Sequence, residues 1–228
     1  YEYRGEWLGF TRALGTPAPG VSLYEKVVRA LADLVESLGG AIWLERDGAF
    51  RQMAWRSFPK VAEAESATGS LVAFLNRSGW IIRMDEAVAF PDRYPQLKLP
   101  EWLANLKEAW LVVPLASGAE LIGFVVLARP RAPLDVNWEV FDLLKTASRQ
   151  AASYLAHIRA NEALVEAEKF DAFNRMSAFV VHDLKNLIAQ LALLLKNAER
   201  HRDNPEFQRD MLETIQHVVR RMNHLMLQ

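Results

Sequence analysis

The 228-residue sequence contains no cysteine. Disulfides, thiolate metal sites and thioether-linked chromophores are therefore excluded, and the composition suits a reducing compartment. Net charge is nearly absent: 27 Lys and Arg against 28 Asp and Glu give −1. A nucleic-acid-binding surface needs a positive excess to neutralise phosphates, and neither half of the chain has one. No uninterrupted apolar run approaches the roughly 18–20 residues that span a bilayer, and no signal peptide is visible. There is no initiator Met before YEYRGEWLGF, so the expectation is a cytoplasmic piece of a longer protein. What the chain does have is a 51% apolar fraction, enough to bury a sizeable core.

Glycine and proline are also missing from one long region. Glycines run as far as Gly123 and prolines as far as Pro133, and neither occurs from Leu134 to Asn204. A breaker-free run rich in Ala, Leu, Glu, Lys and Arg reads as helix. Continuous from Val136 to Glu199 it would be roughly 95 Å long, more than one small domain needs, so it is expected to join two modules.

The front module alternates helix and strand. Ser22–Ser37 has apolar residues at Leu23, Val27, Val28, Leu31, Leu34 and Val35, a helical period. Ala41–Trp55 reads as a hairpin turning at Asp47–Gly48. Leu71–Asn76 is expected to be helical and closed by Gly79. WIIRM is expected to be a strand, Lys98–Leu106 to hold a short helix, and AWLVVPLASGAELIGFVVLA to form a second hairpin turning at Ser117–Gly118. Asp135 is expected to cap the last helix, after Pro133. The order is α-β-β-α-β-α-β-β-α.

That order, the DG hairpin and the paired LVAFLNRSGWIIRM and LVVPLASGAELIGFVVLA resemble the GAF sensory domain, over roughly Val21 to His157. The resemblance implies a central antiparallel sheet with helices on one face, and often a pocket for a small-molecule ligand, whose identity it does not give. Trp43, Trp55, Trp80 and Trp110 are candidates to line such a pocket, although aromatics on strands are ordinarily core. Arg56 and Arg83 are candidates to meet an anionic ligand, although arginines near strand ends are ordinarily solvated. Cofactor-binding residues stay unassigned.

The rear module carries a heptad seam. Phe173, Ser177, Val180, Leu184, Leu187, Leu191, Leu194 and Ala198 follow steps of four and three. Val181, Ile188 and Leu195 widen the seam beyond a two-helix contact, towards a bundle. After RHRD, Asn204 suits an N-cap and Pro205 the first helical position. Phe207, Met211, Ile215, Val218, Met222 and Leu225 then form a second seam. Two such helices make an αα-hairpin, and two hairpins make a four-helix bundle, so a homodimer is expected. At about 100° per residue, His182 lies about 180° from the seam and points to solvent. Asp183 and Asn186 fall on the same flank, roughly 100° and 40° from it.

FVVHDLKNLIAQL resembles the phosphoacceptor box of two-component sensor histidine kinases. The wider run to the end of the chain is similar to the PEP-CTERM-system, PrsK-type, kinases in particular. The resemblance implies membrane helices first, in an inner-membrane-anchored parent, then a GAF domain, then the dimerisation and phosphotransfer hairpin, then an ATP-binding domain. Residues 1–20 would be a linker, 21–157 the sensory domain, 158–172 a connecting helix and 173–228 a truncated hairpin. By resemblance, His182 accepts a phosphoryl group from ATP and passes it to a response-regulator aspartate. Asp183 acts as general base and fixes the ring tautomer, and Asn186 orients a water for the reverse, phosphatase, activity. Lys185 reads mainly as solvated surface. Many relatives have proline after the residue matching Asn186; here Leu187 stands there, so a straight helix is expected rather than a kink. No nucleotide-binding motif follows Gly123, so the chain alone should need no cofactor, while the whole kinase would use ATP and Mg.

Two other readings compete. One is a GAF–coiled-coil dimerisation module in which His182 is incidental. The other is an HD-type metal phosphohydrolase using His182–Asp183 with His157 and Asp203 or Asp210. A straight helix would put His157 and His182 about 37 Å apart, whereas a two-metal site needs converging ligands. No metal site is therefore expected.

Overall fold

The computed structural model describes residues 9, 10, 12, 14, 15, 19–132, 137–201 and 203–226. It divides into two units, Tyr1–Arg159 and Ala160–Gln228. The first is an α+β domain. Helix α1 (Leu23–Asp33) leads into strands β1 (Gly40–Arg46), β2 (Ala49–Arg56) and β3 (Glu65–Ser66). Helix α2 (Ser70–Ser78), strand β4 (Ile82–Arg83), helix α3 (Met84–Ala89), a 3₁₀ turn at Pro91–Arg93 and helix α4 (Glu101–Ala104) follow. Strands β5 (Ala109–Ser117) and β6 (Glu120–Ala128) complete one antiparallel sheet in the order β3-β2-β1-β6-β5-β4. Helix α5 (Trp138–His201) then begins in this unit and continues into the next.

Local chemistry explains most of these boundaries. Ser22 caps α1, its Oγ accepting from the Glu25 N–H at 3.1 Å. The helix stops at Asp33, short of the expected Ser37, and Glu36 takes a left-handed φ of 50°. Asp47 and Gly48 both have positive φ, 53° and 77°, as the two-residue turn of a right-twisted hairpin requires. Gly79 ends α2 in the left-handed conformation, its N–H returning to Leu75 O. The second hairpin pairs Ser117 with Glu120, so its turn is Gly118–Ala119, one residue later than expected. WIIRM pairs only at Ile82 and Arg83, because Met84 already starts α3. Pro114 is tolerated inside β5 because β4 pairs β5 only at Leu111 and Val112, which leaves that side of the strand free of a ladder beyond them. Asp135 and Pro133 lie outside the described residues. The cap visible at the start of α5 is Asn137, whose Oδ1 accepts from the Val140 N–H at 3.0 Å.

Strands β1, β6 and β5 are buried on both faces. Ile42, Leu44, Leu111, Val113, Leu115, Val125 and Leu127 meet α1 and the first turns of α5, through Val28, Leu31, Leu144, Ala147, Ala151 and Leu155. The alternate residues Ala41, Trp43, Val112, Phe124 and Val126 meet α2, α3 and α4 through Leu71, Phe74, Leu75, Met84 and Leu103. The expected single layer of helices is therefore corrected: both faces of the sheet are covered, and this is why β1, β5 and β6 read as nearly continuous apolar runs.

The second unit is a helical hairpin, the later part of α5 and α6 (Pro205–Met226). Asn204 Oδ1 accepts from the Glu206 N–H at 3.0 Å, and Pro205 opens the helix. Ser177, Val180, Leu184, Leu187, Leu191, Leu194 and Ala198 are partly or fully shielded, as the heptad seam requires, whereas Phe173, expected to begin the seam, is exposed because it falls in the stretch from 160 to 176 where every residue is exposed. Leu187 and Val218 are buried. Val181, Ile188 and Leu195 remain 50%, 64% and 70% exposed. Of the described helices, α5 has an 18-residue window of mean hydropathy 1.5, apolar enough to cross a membrane by length and composition.

Gly123 pairs with Leu44 on one side and Leu115 on the other. A Cβ there would run into the Trp43 carbonyl oxygen and the Leu44 side chain. Gly123→Ala, ordinarily neutral or favourable in a strand, is expected to destabilise the first unit by about 1–3 kcal/mol through overpacking, read from the denaturant midpoint.

Candidate functional site

Two places in the molecule gather chemistry. The first is an open cleft of about 720 Å³ in the first unit, lined by Trp80, Arg83, Glu86, Tyr94, Trp138 and Lys145 among others. Its wall is ordered by Tyr94, which is buried. The Tyr94 hydroxyl accepts from the Arg83 N–H at 3.1 Å and donates to Glu86 Oε2 at 3.0 Å. Glu86 also pairs with Arg93, and Arg83 with Asp85 at 3.1 Å. The bond from Tyr94, aided by Arg93, holds the Glu86 carboxyl below its ordinary 4.5. Burial pushes the Tyr94 phenol up.

Of the aromatic candidates, only Trp80 reaches this cleft. Trp43 and Trp110 are core, and Trp55 is 42% exposed with Lys60 over its ring. Arg83 lines the cleft; Arg56 is exposed and does not. Trp43 instead belongs to an aromatic stack, 5.1 Å from Trp102 and 5.4 Å from Phe124 between ring centres. Trp102 donates to the buried Glu65 at 3.0 Å. Sequence reading missed Trp102 and Glu65 as partners because 37 residues separate them.

The second place is the hairpin. His182 is 71% exposed, as the helical wheel predicts. Asp183 is only 26% exposed, because its side chain turns towards α6. Its Oδ2 accepts from Arg221 at 3.0 Å. Its Oδ1 stands 3.6 Å from His182 Nδ1, beyond hydrogen-bond reach. Asn186, one turn on, places its side-chain nitrogen 3.4 Å from the same Nδ1. The structure thus brings His182, Asp183 and Asn186 together and adds Arg221, which the sequence analysis did not single out. The Arg221 guanidinium, the larger cause, holds the Asp183 carboxyl below its usual range. Small hollows beside Asp183 are lined by His217 and Arg221, and by Arg220 and His224. Among the described residues, no group of three or more His, Asp or Glu is gathered as a metal site.

A six-stranded antiparallel sheet covered by helices on both faces, with a cleft beside its edge strand, defines an α+β domain with room for a small ligand. Residues 21–155 match the GAF domain family, and the chain belongs to that family, a regulatory module of signalling proteins. GAF domains commonly bind small molecules and dimerise. Among solved structures, the chain is similar to the GAF domain of a phosphoenolpyruvate-protein phosphotransferase from Coxiella burnetii. Identity is 17% and the TM-score 0.54, over 71% of this chain and 96% of that one. It is also similar to the GAF domain of the Acinetobacter phosphoenolpyruvate-protein phosphotransferase, at 20% identity and TM-score 0.48, over 69% and 92%. A third is the GAF domain/HD domain protein from Geobacter sulfurreducens, at 18% and 0.46, over 58% and 89%. At these identities the likeness concerns the fold alone. Comparison with curated proteins gives no match.

The Tyr94 bridge makes a test. Tyr94→Phe leaves the Arg83 N–H unpaired and is expected to cost about 1–3 kcal/mol. Glu86 has a folded pKa below its unfolded value, so its contribution is present above about pH 4.5 and is lost as pH falls through the lower folded value. Denaturant titrations from pH 6 to pH 3 should show this acid loss shrinking in Tyr94→Phe.

Proposed function

We propose that this chain is the sensing and phosphoacceptor part of a sensor histidine kinase, of the PEP-CTERM-system type by resemblance, in which the GAF domain regulates phosphorylation of His182. The observation that carries the reading is the placement of His182: solvent-facing on a bundle-type hairpin, with a carboxylate and an amide at its Nδ1 side. An exposed imidazole backed by polar groups is poised for attack, whereas a structural histidine would be turned inward.

In the proposed reaction the His182 Nε2 lone pair forms a bond to the γ-phosphorus of ATP. The bond from that phosphorus to the β–γ bridging oxygen breaks, and ADP leaves with the electron pair. The ring is transiently positive, with its remaining proton on Nδ1. Asp183 would hold that proton once its carboxylate moves within reach, which would select the reactive tautomer and stabilise the cation. The phosphoramidate then passes its phosphoryl group to a response-regulator aspartate. Asn186 would orient the water that attacks the regulator's aspartyl phosphate in the reverse sense. ATP would be delivered by an ATP-binding domain of the same parent protein, which we place at the inner membrane.

The exposed apolar band supports a homodimer. Val181, Ile188 and Leu195 lie on one face at seven-residue steps and are each half or more exposed in the single chain. Exposure on that scale calls for cover, and a seven-residue repeat beside the seam fits a second helical hairpin. The band alternates with charged residues such as Lys185 and Lys196, which fits helix packing in water better than burial in lipid.

Two experiments test this reading. In the full-length kinase with labelled ATP, His182→Gln should abolish acid-labile labelling; undiminished labelling refutes the assignment. In the same assay Asn186→Ala should slow regulator dephosphorylation while autophosphorylation stays largely intact. Separately, Ile188→Glu with Leu195→Glu should convert a dimer to a monomer in sedimentation velocity, because both side chains are exposed within one chain.

A further inference from the structure

We propose that Arg221 is a positioning residue for His182: by pairing with Asp183 across the hairpin it withholds the carboxylate from the imidazole, and a small displacement of α6 along α5 hands it back. The inference rests on the reading of His182 as phosphoacceptor.

Three observations carry it. The carboxylate is engaged on one side only: Asp183 Oδ2 to Arg221 is 3.0 Å, a charge-assisted hydrogen bond, while Oδ1 to His182 Nδ1 is 3.6 Å. Asp183 is partly shielded where its neighbour His182 is open, because it stands about 100° round the helix from His182, on the side that meets α6. And the arginine comes from the other helix, 38 residues on, so the grip depends on how the two helices sit against each other.

The distances make this a sensitive arrangement. Closing 3.6 Å to a charge-assisted hydrogen bond of about 2.8 Å takes less than one ångström of carboxylate movement. One residue of axial shift in a helix is about 1.5 Å. A sliding or rotation of α6 far smaller than one turn would therefore exchange one partner for the other. With Arg221 holding Asp183, no carboxylate fixes the proton on Nδ1, and the tautomer with a free Nε2 is not favoured. With Asp183 returned, it is. The charged and titratable groups around this centre are Asp183 from α5, and His217, Arg220, Arg221 and His224 from α6. All four α6 groups are cationic or become so on protonation, so the α6 side competes with His182 for the single carboxylate.

The test uses the 228-residue chain and the NMR titration of the His182 ring, assigned by its loss in His182→Gln. Arg221→Gln should move the His182 ring titration to higher pH, because the released carboxylate stabilises the imidazolium. Removing a cation raises it too, so the deciding comparison is the same change in an Asp183→Asn background. There the rise should fall to less than half. Arg221→Lys, which keeps the cation and its bond to Asp183, should restore the unsubstituted value. An equal rise in both backgrounds, or no rise in either, overturns the proposal. In the full-length kinase, Arg221→Gln should speed autophosphorylation a few-fold; a rate that is unchanged or lowered also overturns it. The two readings fail separately: loss of labelling in His182→Gln with no coupling between Arg221 and Asp183 removes only this proposal, whereas coupling with undiminished labelling removes the phosphoacceptor reading.

Discussion

The constraint on which the sensory unit depends is two-sided burial of β1, β6 and β5. Each contributes alternate side chains to separate cores, Ile42 and Leu44 to one, Trp43 to the other. Neither layer of helices can be lost without exposing a full face of the sheet. Burial of this kind is worth about 25 cal/mol per Å² of apolar surface, and it accumulates over both faces at once. The close approach at Gly123 follows from the same crowding, as does the aromatic stack of Trp43, Trp102 and Phe124.

That constraint also fixes where α5 begins its work. Leu144, Ala147, Ala151 and Leu155 are part of the core, so the first turns of α5 belong to the domain as firmly as any strand does. From 160 to 176 every residue of the same helix is exposed. The backbone hydrogen bonds run through both stretches without a proline or glycine to interrupt them. A helix rooted in one core and continued into a hairpin suits a module whose state must be read elsewhere in the chain. The cleft borders its first turns, at Trp138 and Lys145.

Much of this was legible from the sequence, for physical reasons. The hairpins showed because Asp47–Gly48 and Gly118 provide the positive φ that tight turns need. The long helix showed because it has no breakers, and the seam because its period of four and three leaves one stripe apolar. His182 was placed outside the seam by that period alone, and it is exposed. What stayed hidden depended on contacts between distant positions or on very short elements. Strand β3 has two residues, too few to carry an alternating pattern. The helices α2 to α4 cover the second face of the sheet, and their own periodicity does not say which face they meet. Trp102 with Glu65 and Asp183 with Arg221 are partners set by the fold. Arg221 in sequence is one of many charged residues on an amphipathic helix, and only the α5–α6 register selects it.

The brevity of the outer strands has a further consequence. β3 and β4 have two residues each, so most of the outer side of β2 and of β5 has no strand partner, and in β5 Pro114 interrupts that free side with a residue that has no N–H to offer. Very short outer strands and a proline on the free side beyond one of them are both features that discourage edge-to-edge growth. The association of two such chains proposed above would accordingly draw on side chains carried by helices rather than on extension of the sheet.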